Sequence, residues 1–187
     1  QRTQEQIAEL AEEARLIELN EWAQKYFHNY LIEDEKGKLV GLSYFTERGL
    51  TLSTINTFGL GFCPDTGAQM TQAALAAGWS IPDLVKIGLT VARENWKTDR
   101  FRGRAIFPIH SLSGRPIAFG GRALRTDEHT AKYVNSPESP IYHKSNELFG
   151  LSLSRKGIGK RDKCLLVEGY MDVLSMWQRG VDYIVAS

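Results

Sequence analysis

At 187 residues with 42% hydrophobic side chains, the chain is long enough for one substantial domain or two small ones with ordinary cores. No run of about 18 apolar residues occurs and the first residues are glutamate-rich, so neither a membrane span nor a secretory signal is indicated and a cytoplasmic protein is the default. The net charge of +1 hides an asymmetry: residues 1–99 carry nine basic against fourteen acidic side chains, 100–160 carry eleven against four, and the last 27 carry three against four.

In chain order, Ile7, Leu10, Ala14 and Ile17 recur at helical spacing, and Trp22, Tyr26, Phe27 and Tyr30 carry the apolar surface onward. The spacing predicts one long amphipathic helix from about Glu5 to Leu31, broken by "EDEKGK". Two short helices with turns at "RGL" and "FGLGFCPDTG" should follow, then one around Gln69–Ala77 and one after Pro82, with Ser80 as its cap. From Arg104 the pattern changes to "RAIFPIHSLSGRPIAFGGRAL", two apolar runs about a glycine turn, which reads as a hairpin. "TDEHTAKYVNSPESPIYHKSNELFGL" is proline-punctuated and polar, and is expected as an ordered surface loop. "KCLLVEG" reads as a strand buried on both faces, with Cys164 in its core. "MDVLSMWQRG" reads as a helix stopped at Gly180, and "VDYIVAS" as a second strand, giving a β-α-β unit.

Cys63 and Cys164 stand far apart with no Cys-x-x-Cys pattern, which argues against a zinc ribbon or a disulfide framework and leaves two plain thiols. The basic middle points to an anionic partner, most commonly nucleic-acid phosphate; a solvated basic face is the alternative. Glu168 falls at the carboxyl end of the first predicted parallel strand, where open α/β sheets bind ligands, and Asp172 begins the next helix. Gly169 lets the backbone turn so that both carboxylates face one crevice and hold hard cations such as Mg²⁺. Equally, Asp172 could simply support the helix N-terminus and Glu168 pair with a basic neighbour.

At "LLVEGYMDV" the strand, the Glu-Gly turn and the helix resemble the opening of a Toprim domain. The wider pattern resembles bacterial DNA primases of the DnaG type. "DRFRGRAIFPI", "GRPIAFGGRAL", "KYVNSPESPIYHKSNELFGL" and "VEGYMDV" stand in that family's order and spacing, and "YFTERGL" and "FGLGFCPD" match upstream. The resemblance covers roughly residues 39–187.

The resemblance implies an RNA polymerase core that copies single-stranded DNA into RNA primers from ribonucleoside triphosphates, using two divalent metal ions. Glu168 matches the family's Toprim glutamate, a metal ligand or acid–base group, and Asp172 its second acidic position. Arg102 and Arg104 flank Gly103, and on an extended segment both would lie on one face as a phosphate track, or be ordinary surface arginines. Arg122 follows Gly120 and Gly121, whose missing side chains permit close approach of a nucleotide or template; a tight hairpin explains them equally well. Lys132, Tyr133, Asn135 and Lys144 join cations to an aromatic platform and an amide, so phosphate and base contacts are both available. His143 is left as a local hydrogen-bonding residue. Ala131 and Ser139 depart from the family's usual proline and threonine.

The expected fold class is α+β. A mainly helical N-terminal lobe spans 1–99, a basic sheet with the binding loop spans 100–160, and the start of an α/β Toprim domain spans 161–187. The resemblance further implies Mg²⁺ or Mn²⁺ at an incomplete Toprim site and Zn²⁺ in an upstream domain. Implied partners are a single-stranded template, the RNA primer–DNA hybrid, and a replicative helicase reached through a C-terminal domain; no membrane is implied. The chain then looks like an excerpt of a longer primase that binds DNA yet makes no primers alone. The alternative is a nucleic-acid-binding part of a phage primase–helicase or of a Toprim nuclease.

Overall fold

The predicted long helix is present. In a computed structural model that describes residues 3–125 and 129–187, α1 runs Gln4–Glu33. Thr3 caps it and exchanges hydrogen bonds with Gln6, satisfying two otherwise orphaned N–H groups. Its buried stripe is Leu16, Leu19, Ala23, Phe27 and Leu31, while Ile7 and Leu10 are exposed. The first turns thus continue the helical period without a partner to pack on. "EDEKGK" does not end helical structure: Asp34 accepts from the Lys36 and Gly37 N–H groups, and a π-helical turn, Gly37–Leu42, leads directly into α2, Ser43–Glu47. A Cβ on Gly37 would meet the Tyr30 carbonyl, so only glycine lets the chain fold back this closely.

α3, Leu52–Phe58, α4, Gln69–Ala76, and α5, Ile81–Lys86, lie where the spacing places them, and Ser80 accepts from the Asp83 N–H as cap. Three strands within 1–99 carry no clear sequence signal: β1, Gly61–Phe62, and the hairpin of β2, Thr90–Arg93, and β3, Trp96–Asp99. The predicted hairpin is β4, Arg104–His110, with β5, Pro116–Ala123. The polar loop contributes a strand, β6, Tyr133–Asn135, so the main antiparallel sheet has the order β1-β4-β5-β6. Residues 126–128 of that expected loop lie outside the described residues. α6, Leu151–Arg161, β7, Leu165–Val167, α7, Tyr170–Gln178, and β8, Ile184–Ala186, complete the chain, with β7 and β8 parallel. This mixed helix-and-sheet architecture is α+β.

The three sequence segments share two cores. One joins Leu31, Phe45 and Phe58 to Phe107, Phe149, Val173 and Ile184; the other joins Leu16, Phe27 and Met70 to Phe101, Ile106 and Phe119. β7 is not buried on both faces: Leu166 is 61% exposed and Cys164 is exposed, because β7 pairs with β8 alone among the described strands. No helix among the described residues is long and apolar enough to cross a membrane.

His110, at the end of β4, faces Gln24 and is held neutral, its pKa lowered to about 4 by burial. The unfolded chain takes up this proton near pH 6.5 and the folded chain only near 4, so stability is intact above 6.5 and falls as pH drops through that window. About 2–3 kcal/mol should be lost. Urea midpoints from pH 7 to 4 should fall less steeply for His110→Gln than for the native chain; parallel profiles would refute this.

Candidate nucleotide and nucleic-acid interface

β5 separates two faces, and the expected basic constellation divides between them. Successive residues of a strand point to opposite sides, so Gly120 and Arg122 share one face and Gly121 and Ala123 the other. Tyr133 lies directly across from Arg122 in the β5–β6 register. The Arg122 guanidinium lies 5.5 Å from the Tyr133 ring centroid and 5.6 Å from that of Tyr44, and donates a long hydrogen bond to the Tyr44 hydroxyl. Tyr170, the first residue of α7, packs edge-on to Tyr133 and donates from its hydroxyl to Asn135 Oδ1 at 3.1 Å. Burial pushes the Tyr170 pKa up to about 12, so the hydroxyl stays protonated and remains a donor. Burial also raises the Tyr133 hydroxyl, with the Tyr44 and Asp172 charges acting in the same direction and Arg122 and Arg48 opposing.

Neither sequence reading of the two glycines holds. The hairpin turn is at Ser111–Arg115, and the glycines sit in mid-strand, paired with Phe107 and Ile106. A Cβ on Gly120 would stand 2.4 Å from the Tyr170 ring, and one on Gly121 would stand 2.6 Å from Phe101. These glycines admit aromatic side chains, one on each face.

Glu168 follows β7 directly and is exposed; Asp172, also exposed, lies in the first turn of α7. Gly169 is in ordinary extended backbone, φ −121°, so no glycine-dependent turn is needed there, and the Asp172 carboxylate folds back over the start of α7, 3.0 Å from where a Gly169 Cβ would be, where the positive end of the helix favours it. Two carboxylates are hard oxygen donors of the kind Mg²⁺ takes, one or two to a cation with water and phosphate completing the shell. Glu168 and Asp172 are of the donor type that such a cation takes. Among the described residues no group of three or more His, Cys, Asp and Glu side chains is arranged for a metal.

Arg102 and Arg104 do not share one face of an extended segment. Gly103 between them has φ +67°, and the chain turns there before entering β4. Arg104 is 8% exposed, and its Nη1 donates to the carbonyls of Gly121, Ala131 and Lys132. It anchors the far end of the loop that carries Lys132. Arg102 is exposed and pairs with Asp65 at 3.4 Å, on the rim of a cleft of about 1180 Å³ that also borders Lys36, Trp96, Lys97, Arg100 and Arg125. This cleft is reached by Ala123, on the face of β5 opposite Arg122. Lys132 and Lys144 are exposed, the latter on a short 3₁₀ turn where its N–H donates to Glu138.

Residues 26–155 match the family described as DNA primase catalytic core, N-terminal domain. The chain belongs to this family. It is 38% identical over its whole length to the DNA primase of Halalkalibacterium halodurans, of which it spans 31%. The RNA polymerase domain of Mycobacterium tuberculosis primase DnaG, solved with a double-stranded DNA oligomer bearing a 6-nucleotide overhang, superposes with a TM-score of 0.86 at 34% identity, covering 93% of this chain and 54% of that one. A DnaG primase catalytic domain solved bound to single-stranded DNA superposes at 0.83 with 32% identity, covering 95% of this chain and 55% of that one. The chain thus spans about a third of the curated primases it matches.

In this primase-core chain the sequence reading missed Tyr44 and Arg48. The Arg48 guanidinium lies 3.8 Å from the Tyr44 ring centroid and donates to the Tyr44 carbonyl, so Tyr44 is flanked by two cations, Arg48 and Arg122. Both residues stand in "SYFTERGL", a short helical stretch with no charge cluster to mark it.

Proposed function

We propose that the chain is the N-terminal part of a primase RNA polymerase core, which makes RNA primers on single-stranded DNA from ribonucleoside triphosphates. The observation that carries this reading is the convergence of an Arg122–Tyr133–Asn135 edge with the carboxylate-bearing turn of Glu168 and Asp172, joined through Tyr170. The primase-family match favours it over the Toprim-nuclease alternative.

In this reading Arg48, Arg122, Lys132 and Lys144 neutralise the triphosphate and neighbouring template phosphates, which is where charge accumulates when pyrophosphate leaves. The Tyr133 ring offers a stacking surface to a base, and the Arg102 cleft with Trp96 tracks single-stranded template. The Glu168 carboxylate accepts the proton that the primer 3′-hydroxyl loses as its oxygen bonds to the α-phosphorus and pyrophosphate leaves, and Asp172 is the second oxygen donor. Mg²⁺ bound at this pair would supply charge neutralisation on the attacking and leaving oxygens. The open edge and exposed Leu165 and Leu166 of β7 accord with further strands of a Toprim sheet in the intact primase. The replicative helicase and the primer–template hybrid belong to that intact enzyme.

The test is a primer-synthesis assay with titrated nucleotide and template, using the intact primase that carries this chain. Lys132→Ala and Lys144→Ala should each raise an apparent KM by about tenfold, as loss of a charge-assisted phosphate contact predicts. Tyr133→Ala should cost about 1–3 kcal/mol of binding if a base stacks there. Unchanged apparent affinities in all three variants would sink the assignment.

A further inference from the structure

We propose that Gln178 is a positioning residue that fixes Arg48 relative to the carboxylate-bearing helix α7. The inference rests on the reading of Arg48 as a triphosphate contact.

Gln178 ends α7, ten residues beyond Glu168. Its Oε1 accepts from the Thr51 N–H and from the Thr54 hydroxyl, both at 2.8 Å, and its Nε2 donates to the Gly49 carbonyl at 2.8 Å. The amide orientation is fixed by its partners, because a backbone N–H can only donate and a carbonyl can only accept. All three partners lie in the turn that follows Arg48 and starts α3. Gly49 is in the left-handed region at φ +81°, and Thr51 caps α3 by accepting from the Thr54 N–H. The turn therefore has a polar lattice of its own, and Gln178 attaches that lattice to a segment 127 residues away in sequence.

The consequence is mechanical. Arg48 is held from one side by α2, through its bond to the Tyr44 carbonyl and its stacking on the Tyr44 ring. From the other side its backbone is fixed by the Gly49–Thr51 turn, hence by the far end of the helix whose first turn bears Asp172. The other end of α7 is tied to the sheet by the Tyr170 bond to Asn135. One short helix thus sets the spacing between the carboxylates and two cations drawn from separate parts of the chain. Shifts of about 1 Å in such spacing are enough to cost large factors.

The test is an NMR titration of the 187-residue chain with ATP and Mg²⁺, together with thermal melting. Gln178→Met keeps the volume and helix propensity of the side chain and deletes all three bonds; Gln178→Asn keeps the amide but falls one methylene short. If either variant fails to fold, the other carries the test. The native chain should bind ATP, and Arg48→Ala should weaken it. The Gln178 variant should weaken binding by about tenfold in the native background and by less than about twofold in the Arg48→Ala background, because coupled residues are not additive. Equal losses in both backgrounds, or no loss in the native one, would overturn the proposal while leaving the role of Arg48 standing. No ATP binding by the native chain, or full binding by Arg48→Ala, would overturn the reading on which it rests, and the proposal with it.

Discussion

Glu168→Gln should lower primer synthesis by about two to four powers of ten, the scale of a lost acid–base or charge-stabilising group, and leave DNA affinity unchanged. The substitution keeps shape and removes only charge. Glu168 is exposed at the end of β7 and is absent from both cores, so its loss should not unfold the protein. DNA affinity should persist because the cations proposed to meet phosphate lie elsewhere: Arg122 on β5, Lys132 just before β6, Lys144 on its 3₁₀ turn, and Arg102 on the rim of the cleft. The assay pairs incorporation of labelled ribonucleotides by the intact primase with filter binding of a single-stranded template. Synthesis near the native rate would remove Glu168 from the chemistry, and a parallel loss of DNA binding would recast it as a structural residue. Asp172→Asn should have a smaller effect, since that carboxylate also supports the start of α7.

Single-stranded DNA affinity of the 187-residue chain should fall steeply with salt. Each phosphate engaged contributes about −0.7 to the slope of log affinity against log salt, so four to six contacts give about −3 to −4. Raising salt fourfold should then weaken binding by about 60- to 250-fold. The candidates are the exposed Arg102, Lys132 and Lys144 and the half-buried Arg122, with Arg48 and the cleft residue Lys97 beside them. Arg104 is not among them. Arg104→Ala should appear as lost stability and as loosening of the loop that carries Lys132, because it removes a buried donor from three carbonyls. Arg102→Ala, in contrast, should reduce the slope by about 0.7 and leave thermal stability nearly unchanged. A salt titration by filter binding decides between these outcomes, and salt-independent binding would remove the basic track altogether. Primer synthesis by this chain alone is not expected, since among the described residues no group of three or more metal-ligating side chains is arranged for a metal; detectable primers with Mg²⁺ or Mn²⁺ would show the site to be more complete.

What could be read without coordinates was whatever rests on short-range pattern. The 3.6-residue recurrence of apolar side chains, Ser80 before Pro82, and paired apolar runs around a glycine turn each carry their structural cause within a few residues. The helices α1 to α5, the β4–β5 hairpin and the terminal β-α-β unit therefore appear where expected. The candidate residues were legible too, because the motif spacing that resembles primases is linear. β1, β2, β3 and β6 were not, since such short strands exist by virtue of the partner they pair with. α6 escaped because two glycines weaken its helical signal; it forms with Gly157 closely packed against the Asp182 backbone. Face was the hardest property to foresee. Whether Arg104 points to solvent or into the sheet depends on one turn at Gly103 and on the β4–β5 register, and a shift of one residue reverses every side chain. That register divides Arg102 and Arg104 from Arg122 and Tyr133. It also brings Tyr170 over Gly120, while tertiary packing sets Gln178 against the turn after Arg48. Such contacts join residues 50 to 129 positions apart. No local pattern encodes them, because their free energy comes from burial and hydrogen bonding that exist only once the chain has closed on itself.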